Sequence, residues 1–127
     1  MRDFILTNIR EANEAIDVAV HNLNKRGHDK GLAYDNCFLA VHFIDQTRLR
    51  EAWWSVLSHY YDGEDQTQSR DELIVYAKSM KDITERVLTE RCGPGSFAAV
   101  PANRIQYEAD VRAYQTIVDE LNKYDKE

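Results

Sequence analysis

Apolar residues recur along the chain with the spacing of helices. From about Phe4 to Asn24 they fall at Ile5, Ile9, Ala12, Ile16, Ala19 and Leu23. That alternation of four and three residues is the seam of a packed helix. Asp3 stands where a capping side chain would. The sequence Ser69-Arg70-Asp71-Glu72 reads as a capping box and predicts the start of a third helix. Its expected seam is Leu73, Ala77, Met80, Thr84 and Val87, with Ile83 and Leu88 beside it. A fourth helix is predicted after Pro101, a residue suited to a first turn, with Tyr107, Val111, Tyr114, Val118 and Leu121 as its seam. Four-residue spacing on the outer faces predicts a ladder at Lys78, Asp82 and Arg86, and pairs at Glu108/Arg112 and Asp119/Lys123.

The breaks between segments are equally legible. Gly27 and Gly31 frame a basic turn, residues 62–68 are polar throughout, and Cys92-Gly93-Pro94-Gly95 is a helix stop. Helical segments joined by short connections predict an all-α fold: a four-helix antiparallel bundle forming a single domain over residues 1–127.

The second segment, about Leu32 to Tyr61, departs from this pattern. It is long, and Asp45-Gln46-Thr47 offers a capping side chain at which it would kink or restart. One stripe holds Phe38, Val41, Leu49, Ala52, Trp53, Val56 and Tyr60, the expected core. The opposite side is also apolar, with Leu39, Phe43, Trp54, Leu57 and Tyr61 interrupted only by Gln46 and Arg50. A helix apolar on two sides is either central to its own domain or covered by a partner. The composition of Leu39, Phe43, Arg50, Trp54 and Tyr61, with its aromatics and arginine, fits an interface.

Composition narrows the classes of function. The net charge is −6 and no quarter of the chain is basic, which disfavours nucleic acid as a partner. No apolar run approaches the ~18 residues needed to span a bilayer, so no membrane is expected. Cys37 and Cys92 have no metal or redox spacing and read as free thiols of a cytoplasmic protein.

Candidate chemistry is sparse. His42 and Asp45, three residues apart, fall on the core stripe of the second helix. There they form either a ligand pocket with Tyr107 and Tyr114 or a structural polar pair that fixes register. Glu14, Asp17 and His21 share a face, but it lies opposite the seam of the first helix and reads as solvated. Glu11 and Glu14 have the ExxE spacing with which all-helical nucleotide pyrophosphohydrolases hold magnesium. The second helix lacks the ExxD that completes that site, so no family is assigned. His28-Asp29 and the Cys92–Ser96 turn read as turn elements. No phosphate loop, zinc spacing or nucleophile elbow occurs.

The expectation from sequence is a small acidic, non-enzymatic interaction protein of the inhibitor or adaptor type, phage effectors among them. It would act on a protein partner through helix faces, without a cofactor or metal, and would self-associate as a dimer. The alternative is a bundle that handles a small ligand or nucleotide, a metal-dependent hydrolase included.

Overall fold

The computed structural model describes residues 1–26, 33–61, 67–90 and 101–124; the side chains of 25, 26, 33–38, 101 and 102 are outside that description. The expectations for the basic turn, His28-Asp29, both cysteine thiols, the Phe38 side chain and the Cys92–Ser96 turn therefore lie outside the described residues. The described residues form four helices: α1 (Arg2–Arg26), α2 (Ala33–Tyr60), α3 (Arg70–Glu90) and α4 (Pro101–Lys123). Among the described residues none of them is long and apolar enough to cross a membrane.

The helices alternate in direction. The start of α1, the end of α2, the start of α3 and the end of α4 meet at one end. There the Met1 amine donates to the Tyr124 hydroxyl at 2.9 Å, and Arg70 Nη1 donates to the Tyr124 carbonyl at 2.7 Å. The Phe4 ring stands edge-on to Trp53 with centroids 5.9 Å apart. The two hairpins, α1–α2 and α3–α4, are joined mainly along α2 and α4; α3 touches α2 only lightly.

The largest fully buried side chains are Trp53, Ile5, Leu73, Ile117, Leu121 and Val56. Each aliphatic one contributes roughly 1.5–3 kcal/mol by leaving water. They belong to one cluster with Ile9, Ala52, Ile74, Ala77, Ala113, Tyr114 and Val118, set toward the end where Met1 and Tyr124 meet. At the opposite end α1 buries smaller residues, Ala12 and Ala19 flanking Ile16.

The predicted seam of α1 is buried from Ile5 to Ala19, with Leu23 half-buried. Its start differs. The Ile5 amide already donates to the Met1 carbonyl at 3.0 Å, so Asp3 lies inside the first turn and is not the cap. Its charge there still favours the positive end of the helix. For α3 the capping box is realised in part: the Glu72 amide donates to Ser69 Oγ at 3.2 Å, and that hydroxyl donates to the Glu72 carboxylate at 3.2 Å. Ile83 is a correction. Predicted beside the seam, it is exposed, and Ile74 is buried in the cluster instead.

Two expectations for α2 are overturned, a restart at residues 45–47 and a core place for Val41. The helix runs unbroken through Asp45-Gln46-Thr47. The Thr47 hydroxyl donates back to the Phe43 carbonyl at 2.8 Å, a bond made within a helix, so it caps nothing. Val41, assigned to the core stripe, is 48% exposed. The predicted outer pairs of α4 are replaced as well. Glu108 pairs with Arg104, Arg112 reaches across to Asp45, and Asp119 accepts from Gln115 while Lys123 turns to Glu120. Spacing within one helix cannot register a better partner on the next.

Candidate functional site

Residues 43, 50, 54, 57 and 61 of the α2 segment recur at seven, four, three and four, so they share one helix face. Ala52, Trp53 and Val56 occupy the inward side, and this phase turns Trp54 outward. Trp54 is 45% exposed and Tyr61 is 51% exposed. Leu39, Phe43, Arg50 and Leu57 are half-buried between them and the bundle. Leu57 packs on the central cluster and anchors the stripe from beneath. Arg50 Nη1 donates to Asn13 Oδ1 of α1 at 3.3 Å, and its Nη2 meets the Glu51 carboxylate at 3.3 Å. Both contacts are long, so the guanidinium is held loosely at the surface. Tyr61 lies just past the helix, its ring packed edgewise on Tyr60 with centroids 5.0 Å apart.

His42 and Asp45 do not form the pair expected of them. His42 is exposed, because α1 and α4 make little contact with each other and leave that side of α2 open. Asp45 accepts from Arg112 Nη2 at 2.8 Å and Nε at 3.3 Å. Its side chain is one-third exposed and that of Arg112 about half, which makes a solvated bridge worth up to about 1 kcal/mol. Tyr107 is half-buried on α4. Tyr114 is buried, and its hydroxyl is hydrogen-bonded to the Ser55 hydroxyl at 3.0 Å. Ser55 Oγ also lies 2.7 Å from the Ala52 carbonyl. Burial pushes the Tyr114 phenol above its ordinary value, and the Ser55 hydrogen bond opposes that rise.

Sequence reasoning missed the strongest polar contact between the hairpins. Arg48 Nε donates to Asp110 Oδ1 at 2.6 Å and Nη2 to Oδ2 at 3.3 Å, a two-point contact. The Asp110 side chain is only 14% exposed. The only signal in sequence was its place beside Val111 on the inner side of the fourth seam. Beside this pair is a cavity of about 250 Å³ lined by Phe43, Ile44, Thr47, Arg48, Ile105 and Gln106.

The acids of α1 stay apart from all of this. Glu11, Glu14, Asp17 and His21 are exposed, and no group of three metal-ligating side chains occurs among the described residues. The polar groups that do converge, Arg48/Asp110, Asp45/Arg112 and Ser55/Tyr114, are matched to one another across the joint between hairpins. Large apolar side chains left facing outward include Val18, Val75, Ile83 and Ile105, and, among the aromatics, Trp54 and Tyr61. No family model matches this chain, and neither comparison with curated proteins nor comparison with solved structures finds a match.

Proposed function

We propose that the chain is a non-enzymatic docking protein that binds another protein through the outer stripe of α2. The observation that carries the reading is the exposure of Trp54 on the outer side of α2, with exposed Tyr61 just past its end, while Ala52, Trp53 and Val56 of the same helix are core. A half-exposed tryptophan leaves a large apolar area in water, and burying it against a partner is favourable. Tryptophan, tyrosine and arginine are the residue types that dominate binding energy at protein interfaces. Arg50, loosely held by Asn13 and Glu51, can turn to a partner at little cost.

The test compares the chain with its Trp54→Glu variant in capture from a native lysate, with melting temperature measured alongside. The expected result is a folded variant that no longer retains what the unaltered chain retains. A folded variant that captures the same proteins would refute docking through this stripe.

A further inference from the structure

We propose that the cavity beside the Arg48–Asp110 pair is a binding site for a small aromatic carboxylate, a single ring carrying one acid group. The described residues of its wall come from α2 and α4 alone. α3 touches α2 only lightly and sends no described side chain into the gap, and the central cluster lies toward the other end of the bundle. A cavity of about 250 Å³ is left between the two helices. An apolar cavity of about 150 Å³ accepts benzene, so this one has room for a ring and a short substituent.

The wall selects the class of ligand. Phe43, Ile44 and Ile105 offer apolar surface against which a ring gains by leaving water. The polar groups beside them are few, as in other small-ligand sites. The Thr47 hydroxyl has spent its proton on the Phe43 carbonyl, which leaves Arg48 and the Gln106 amide as side-chain donors. Arg48 gives Nε and Nη2 to Asp110, and its Nη1 makes no hydrogen bond among the described residues. Asp110 lies outside the wall and fixes the guanidinium, so a ligand need not order that side chain itself. On a chain of net charge −6, the one charged side chain among the described lining residues is therefore a cation. A carboxylate would take a charge-assisted hydrogen bond there, and an amine would meet a like charge.

The experiment titrates the full chain with benzoate, benzyl alcohol and acetate, followed by backbone-amide NMR, with melting temperature measured alongside. Benzoate should bind saturably with a Kd on the order of 1 mM, shift the amides of residues 43–48 and 105–106, and raise the melting temperature. Benzyl alcohol keeps the ring without the charge and should bind about tenfold more weakly; acetate keeps the charge without the ring and should not saturate. Ile105→Trp fills the cavity from a position that is 46% exposed, and should abolish benzoate binding in a folded chain. Gln106→Glu sets a carboxylate at the wall from an exposed position and should weaken benzoate about fivefold while sparing benzyl alcohol. Absence of saturable benzoate binding overturns the site, as does binding that Ile105→Trp leaves unchanged. Equal affinity for benzoate and benzyl alcohol, or a Gln106→Glu chain that holds benzoate as tightly, overturns the carboxylate. Loss of lysate capture on Trp54→Glu is read on another face of α2, so the docking reading and this site fail separately.

Discussion

Trp53 and Trp54 are neighbours in sequence and opposites in environment, which makes them a paired test of the fold. Trp53 is 1% exposed and packs under Phe4; Trp54 is 45% exposed. A fully buried tryptophan removes roughly 200–250 Å² from water, and at ~25 cal/mol per Å² that is an upper limit of about 5–6 kcal/mol. Cavities left by Trp→Ala in cores cost about 3–5 kcal/mol, and Trp53→Ala should fall there. That is a large part of the roughly 6–19 kcal/mol typical for this length. Trp54 buries about half as much, and alanine recovers about 0.5 kcal/mol of helix propensity. Trp54→Ala should therefore cost about 1–2 kcal/mol. The difference of about 2–3 kcal/mol corresponds to roughly 10 °C in melting temperature. Thermal melts followed by circular dichroism would read it, at low protein concentration so that association does not contribute. Each variant also leaves one emitter: the remaining Trp54 should be quenched readily by acrylamide, and the remaining Trp53 poorly. Equal losses of stability would refute the phase assigned to α2 and remove Trp54 from any docking surface.

Three further outcomes follow from the same packing. Ser69→Ala should lower stability by about 0.5–1 kcal/mol in a urea melt, because it removes the acceptor of the Glu72 amide at an exposed helix start. Asp110→Ala should cost about 1–3 kcal/mol by stranding Arg48, Asp45→Ala no more than about 1, and Asp17→Ala within about 0.5; parity of the first and last would contradict the role given to the Arg48–Asp110 pair. Tyr114 holds its proton to higher pH folded than unfolded, so its contribution to stability is complete below about pH 10 and is lost as pH rises through the folded value. An absorbance titration at high pH should show a late-ionising tyrosine component, and Tyr114→Phe should abolish it.

Where a helix has one apolar side, its sequence was a reliable guide. Ile5, Ile9, Ala12, Ile16 and Ala19 are all buried, because only one rotation of α1 hides them together. Ser69 and Glu72 act locally, so a local pattern locates them. In α2 the apolar residues point several ways, and periodicity alone does not determine which side faces in. Trp53 and Trp54 fall on different stripes in the sequence, and which stripe is hidden is set once α1 and α4 are in place. His42 and Val41 were misplaced because a position on the core phase of a helix is buried only where another helix reaches it, and both are exposed. The Arg48–Asp110 and Asp45–Arg112 pairs join residues 62 and 67 positions apart, a distance over which sequence spacing carries no information. Of the candidate interface, the residue types and their stripe were legible, and the degree of exposure was not.

The division into two hairpins has a consequence for how the chain folds. Most of its packing joins helices that are consecutive in sequence, α1 with α2 and α3 with α4. Closing such short loops costs little entropy, and chains dominated by near-neighbour contacts fold fast. The joint between α2 and α4 is of the other kind: its ion pairs and the Ser55–Tyr114 bond each close about half the chain. This pattern predicts that each hairpin zips up early and that the polar joint forms late. Strengthening that joint would slow the opening of the finished molecule and leave the speed of its assembly almost unchanged.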